Sequence, residues 1–157
     1  MTLKPGDKAP EFTLYNTEKK EVKLSDLKGQ TVVIHFFPAA FTGTCTTQLC
    51  TLRDDHSFYN NLNCAVFGIS CDMPFTQAKF KAEQNLNFDL LSDFNREVNK
   101  AYGAQYDTWI LGLKGNSKRA AFIIDGNGII QYAEVLESAG DLPNFAAMKE
   151  VLGAKSA

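Results

Sequence analysis

The run Thr31-Val32-Val33-Ile34-His35-Phe36-Phe37 constrains the fold more than any other stretch of the chain. It is β-branched and aromatic and holds no Lys, Arg, Asp or Glu, the pattern of a strand covered on both faces. Pro38 stops it, because proline has no N–H to give a neighbouring strand. A loop of small residues, 39–44, comes next. Helical spacing then runs from about 45 to 60, where Leu49, Leu52 and Tyr59 recur with Cys45 and His56. Strand, loop and helix in this order open an α/β unit, and such folds bind ligands beyond the C-terminal ends of their strands. That places Cys45 at the start of a helix and at the edge where chemistry collects. Unpaired N–H groups and the positive end of the helix dipole favour an anion there. A thiolate is such an anion, and it is the nucleophilic form of cysteine. Thr42 can turn its hydroxyl to the same spot, and Pro38 can shield it from water. A free cysteine is as readily a small buried hydrophobe, so the residues alone leave both readings of Cys45 open.

The remaining chain continues the alternation. Residues 6–30 read as an opening hairpin or an irregular lead-in, with one short helical turn at Ser25-Asp26-Leu27-Lys28 closed by Gly29. Residues 65–70 read as a second strand, 75–83 as a helix, 88–91 as a short strand, and 97–102 as a helix ended by Gly103. Residues 119–124 and 129–133 form two strands joined by Asp125-Gly126-Asn127-Gly128, whose Asp-Gly and Asn-Gly pairs are strong hairpin signals. Residues 143–152 read as a closing helix. The expected architecture is one α/β domain over 1–157, with a mixed central sheet flanked by helices.

At 157 residues the chain can bury a full core without disulfide staples. Its net charge of −2 and its lack of a basic run argue against nucleic acid or an anionic membrane as partner. No apolar stretch approaches the roughly 20 residues that span a bilayer. Met1 to Pro10 holds charges and two prolines but no apolar h-region, so no secretory signal is expected and the protein reads as cytoplasmic. In that setting Cys45, Cys50, Cys64 and Cys71 are catalytic, redox-active or buried rather than structural disulfides.

Pro38-x-x-x-Thr42-x-x-Cys45 resembles the active-site motif of the peroxiredoxins (the AhpC/TSA family) at all three fixed positions. Gly6-Asp7-Lys8-Ala9-Pro10-Glu11-Phe12, Gly68-Ile69-Ser70-Cys71-Asp72 and Leu90-Leu91-Ser92-Asp93 extend the resemblance over most of the chain. Phe36 to Gly43 together with Leu52-Arg53-Asp54 is most similar to the AhpE-like subgroup. The resemblance implies a thioredoxin-like fold and a thiol-dependent peroxidase without a metal or organic cofactor. Cys45 would be the peroxidatic residue, oxidised by hydrogen peroxide or an organic hydroperoxide to a sulfenic acid. Thr42 and the N–H groups of Thr44 and Cys45 would align the peroxide, and Arg119, the family's second active-site arginine, would supply fixed positive charge.

Cys50 follows Cys45 by five residues, as in the bacterioferritin-comigratory (PrxQ-like) peroxiredoxins, where a cysteine at this offset can resolve the sulfenic acid. On an ideal helix the two Cα atoms lie about 8.6 Å apart, beyond the roughly 7 Å reach of a disulfide. A Cys45–Cys50 bridge therefore requires the helix start to unwind; the other reading is that Cys50 is a packed apolar residue and a different thiol resolves Cys45. Cys64 and Cys71 flank the second strand and read as buried structural thiols. Gln48 stands where many relatives carry a glutamate, which removes a negative charge from the site. His35 reads as a satisfied core histidine, and His56 as exposed on a helix face.

Three other functions fit less well. A thioredoxin-type disulfide reductase needs Cys-x-x-Cys, and Cys50 lies two positions too far. A metal site built from Cys45, Cys50 and His56 would not place its ligands on one helix face. A binding or chaperone module would have no need of Pro38, Thr42, Cys45 and Arg119 together. The expected partners are a hydroperoxide, a thiol reductant such as thioredoxin or a glutaredoxin-like protein, and a second copy of the chain in a homodimer. Phe41, Phe75, Tyr106 and Trp109 offer apolar surface for that contact, and each is equally readable as core.

Overall fold

The computed structural model describes residues 2–156, with side-chain surroundings through residue 153. The apolar run becomes β3, Val32–Phe36, buried at every position. It pairs in parallel with β4, Ala65–Ser70, which pairs in parallel with β5, Asp89–Ser92. On its other side β3 meets β6, Arg119–Ile124, antiparallel, and β6 folds back into β7, Ile130–Leu136. The opening hairpin is β1, Thr13–Asn16, with β2, Glu21–Lys23, and β1 joins the sheet antiparallel to β5. Among the described residues the result is one mixed seven-stranded sheet, ordered β2-β1-β5-β4-β3-β6-β7.

Alternation along the central strands builds a core on each face of this sheet. Ile34, Phe36, Phe67, Ile69, Phe122 and Ile124 point to one face and meet Phe12 and Tyr102. Val33, Phe37, Leu90, Ala121 and Ile123 point to the other and meet Leu49, Leu52, Tyr59, Phe80 and Met148 from the helices. A β-carbon on Gly68 in β4 would lie 2.8 Å from Leu90 Cδ2 and 3.3 Å from Phe37 Cε1, so this layer closes only over a glycine.

The helices are α1, Gly43–Asp54; α2, His56–Asn61; α3, Pro74–Gln84; α4, Glu97–Ala101; and α5, Phe145–Ser156. The continuous helix expected over 45–60 is thus two helices, and it starts two residues early. Asp55, at φ −95° and ψ 15°, leaves helical geometry, and its carboxylate is held by Lys149 of α5 at 2.9 Å. The change of direction lets Leu49 and Leu52 on α1 and Tyr59 on α2 all reach the same core. The helical turn expected at 25–29 is a 3-10 turn over Leu24–Leu27, followed by Gly29 at φ 88°. Among the described residues no helix is long and apolar enough to cross a membrane.

Candidate active site

Antiparallel pairing of β3 with β6 decides where the chemistry sits. Phe36 pairs with Ala120, so the end of β3 and the beginning of β6 share one sheet edge. Arg119, the first residue of β6, therefore lies beside the loop that leaves β3 through Pro38. The same edge receives the N-terminus of α1. Thr46 N–H makes the first return bond, 2.9 Å to Thr42 O, so the N–H groups of Gly43, Thr44 and Cys45 come before the helical ladder. The expectation that Cys45 opens the helix is corrected by two residues, yet Cys45 stays in the first turn, where the dipole acts.

The loop is tied down from several directions. Asn116 Nδ2 donates to Pro38 O at 3.0 Å, and Ala40 N–H donates to Asp72 Oδ2 at 2.9 Å. Ser70 at the end of β4 donates to the same carboxylate oxygen at 2.7 Å. Phe41 takes a left-handed backbone conformation at φ 69° and lays its ring 5.2 Å from that of Phe80 on α3. A non-glycine residue in that region is strained, and the packing holds it there.

Arg119 reaches Cys45 directly. Its Nη1 is 3.3 Å from Cys45 Sγ and 2.7 Å from Gln48 Oε1, and its Nη2 donates to Ala139 O at 2.8 Å. Both Arg119 and Cys45 are 1% exposed. No ion pair among the described residues includes Arg119. A buried cation without a counter-ion is costly, and a thiolate on Cys45 offsets that cost. Arg119 is thus buried although it begins a strand at the sheet edge.

A shallow cleft of about 170 Å³ opens over this pair, lined by Pro38, Thr42, Thr44, Cys45, Trp109 and Arg119. Thr42 is exposed, and its hydroxyl donates to Ala39 O at 2.8 Å rather than toward the sulfur. With its hydrogen committed, its oxygen is left to accept from a ligand in the cleft.

Two residues carry more than the sequence indicated. Gln48 is fully buried and is the second anchor of Arg119. His35 is not a fully satisfied core histidine: Nδ1 lies 2.9 Å from Gln48 Nε2, while Nε2 is buried with no partner. Burial lowers its pKa from 6.5 to about 3, so the ring is neutral at physiological pH. No local pattern announced the contact of His35 with Gln48.

The other cysteines are spread out. Cys50 is half-buried on α1, a free thiol 3.5 Å from Gln84 Oε1. Cys71 is buried beside Asn99 Nδ2 at 3.4 Å, and burial pushes its pKa up to about 12. Cys64, expected to be buried, is half-exposed just before β4 and lines a separate cleft with His56 and Tyr59. His56 is exposed, as its helical position implied.

The family model described as AhpC/TSA matches residues 5–133. The chain belongs to this family. It is 41% identical over 133 residues to a putative peroxiredoxin of Mycobacterium tuberculosis (strain CDC 1551 / Oshkosh), covering 84% of this chain and 85% of the relative. It is 37% identical over 131 residues to peroxiredoxin Bcp of Escherichia coli (strain K12), covering 83% and 84%. The crystal structure of peroxidoxin BcpB from Mycobacterium tuberculosis superposes with a TM-score of 0.85 at 29% identity, covering 97% of each chain. A peroxiredoxin-like protein from Aquifex aeolicus gives 0.88 at 27% identity, covering 98% of this chain and 88% of its own. The peroxiredoxin form of the thioredoxin-like fold expected from the sequence is therefore the observed one, and the enzyme is a thiol-dependent peroxidase.

Proposed function

We propose that Cys45 is the peroxidatic thiol. The observation that carries this reading is the buried Arg119 guanidinium, 3.3 Å from Cys45 Sγ and without a carboxylate of its own among the described residues. Cys45 Sγ attacks the terminal oxygen of a hydroperoxide; the S–O bond forms, the O–O bond breaks, and the leaving oxygen takes a proton to depart as water or an alcohol. Arg119 and the free N–H groups of Thr44 and Cys45 face the charge that builds on the oxygens. Thr42 Oγ1 accepts from the hydroperoxide O–H and aligns it, and Pro38 closes the wall behind the sulfur.

Cys50 then resolves the sulfenic acid. Its thiolate attacks the Cys45 sulfur, water leaves, and a dithiol reductant of the thioredoxin or glutaredoxin-like class reduces the disulfide. Both cysteines sit on the continuous helix α1, about 8.6 Å apart by ideal geometry, so its first turns must open first. The exposed start of α1 supports this: Thr42, Gly43 and Thr47 all face solvent. The test is trapping. After one equivalent of peroxide, wild-type protein should give a Cys45–Cys50 linked peptide in non-reducing mass spectrometry. Cys50→Ser should instead give a dimedone adduct on Cys45. Absence of the link removes Cys50 from the cycle; absence of the adduct removes Cys45.

Four free thiols support work in the reducing cytoplasm by a single-domain enzyme. A homodimer is supported by apolar side chains around the cleft mouth: Phe41 is 48% exposed and Leu111 91%, with Ile110 and Leu113 beside it. Phe75 is exposed with Lys19 Nζ 5.7 Å from its ring centroid, and Tyr106 stacks on Trp109. Light scattering at micromolar concentration should give twice the chain mass, and Leu111→Glu should give the monomer.

A further inference from the structure

We propose that His35 is a positioning residue for the peroxidase reaction: it holds the Gln48 amide in the orientation that fixes Arg119 without neutralising it. The inference rests on Cys45 being the reacting thiol.

Arg119 has only donors, so the Gln48 atom 2.7 Å from its Nη1 is the amide oxygen. The amide nitrogen then faces the other way, 2.9 Å from His35 Nδ1 and 3.4 Å from Phe36 O. A ring nitrogen that receives an N–H is an acceptor, which assigns the imidazole proton to Nε2. The contacts share one polarity, from guanidinium to amide oxygen and from amide nitrogen to imidazole. They join residues from β6, α1 and β3.

Packing alone does not account for an imidazole at position 35. The ring is fully buried and stacks on Phe145 at 5.5 Å, a place a phenyl ring would fill with no polar atom to satisfy. Its Nε2–H is instead left without a partner, which costs stability. What the imidazole adds over a phenyl ring is the acceptor at Nδ1.

That acceptor matters because residue 48 is a glutamine. A carboxylate there would present an oxygen to Arg119 either way round, and it would also cancel the cation. A neutral amide leaves the charge of Arg119 for Cys45 and the reacting oxygens, but it has two unlike ends. Without His35 only the long contact to Phe36 O would orient the far end. His35 supplies the direction that the neutral group lacks.

Two substitutions separate acceptor from ring. His35→Phe keeps the ring and drops the acceptor; His35→Asn keeps an acceptor close to the Nδ1 position and drops the ring. Oxidation by hydrogen peroxide would be followed by stopped flow at neutral pH, with thermal midpoints in parallel. His35→Phe should lose about tenfold in rate, the worth of one hydrogen bond to a working group. His35→Asn should stay within about threefold of wild type, even with a lower midpoint. A rate that follows the ring, with Phe unimpaired and Asn slow, overturns the proposal. If His35→Phe does not fold, nitrogen-15 spectra of the wild-type protein decide. The proposal requires a neutral ring with its proton on Nε2 from about pH 5 to 8, and a proton on Nδ1 refutes it. Cys45→Ser runs beside these variants. If it still consumes peroxide, the reading of Cys45 fails; if it is inactive while His35→Phe matches wild type, only the His35 assignment fails.

Discussion

Replacing Arg119 by methionine removes the cation 3.3 Å from Cys45 Sγ while keeping a long side chain in the buried slot. Two unit charges at that distance interact by about 5 kcal/mol at an effective dielectric of about 20. Water entering the cleft and the N–H groups of the helix start recover part of this. Hydrogen bonds to charged groups are worth about 1.5–3 kcal/mol by substitution, and about 2 kcal/mol of lost transition-state stabilisation is about 30-fold in rate. The same change strips donors from Gln48 Oε1 and Ala139 O, so stability falls too. A loss of about 2 kcal/mol lowers the thermal midpoint by roughly 4–8 °C in a chain of this size. Stopped-flow oxidation well below that midpoint, with circular dichroism confirming the fold, separates the two effects. Arg119→Lys restores the charge without the planar fork and should fall between, about fivefold below wild type. A methionine variant within threefold of wild type would refute the reasoning. So would a lysine variant as slow as methionine, because charge would then not be the working term.

Two further outcomes follow from buried groups. Folding holds the His35 pKa near 3 against 6.5 in the unfolded chain, so between these values the unfolded state binds the extra proton. Stability from this residue therefore falls as pH drops below about 6.5, by up to about 1.4 kcal/mol per pH unit, and His35→Phe should flatten that part of the urea-unfolding profile. An identical pH dependence in the variant would contradict the assignment. Gly68→Ala would set a methyl 2.8 Å from Leu90 Cδ2 and should cost about 1–3 kcal/mol; an unchanged midpoint would mean that layer of the core yields freely.

The sequence carried the parts of this enzyme that are local. The uncharged run at 31–37 specified β3, the Asp-Gly-Asn-Gly turn specified the β6–β7 hairpin, and Pro38, Thr42 and Cys45 lie within one loop and its helix start. Arg119 was legible only through resemblance to a family, since antiparallel pairing across β3 is what returns it to Cys45 over 74 positions. The His35–Gln48 contact was not legible, because a strand residue and a helix residue meet only after α1 docks on the sheet. The break at Asp55 escaped for a similar reason. Apolar spacing runs on across it, while a lysine on the distant α5 holds the carboxylate at the bend.

The role of Cys45 is tested most directly by the rate at which reduced protein reacts with hydrogen peroxide and an organic hydroperoxide in stopped flow, with Cys45→Ser beside it. Rapid oxidation that vanishes in the variant is the predicted result. Slow oxidation in the wild type, or a rate the substitution leaves unchanged, would contradict the assignment of Cys45 as the reacting thiol.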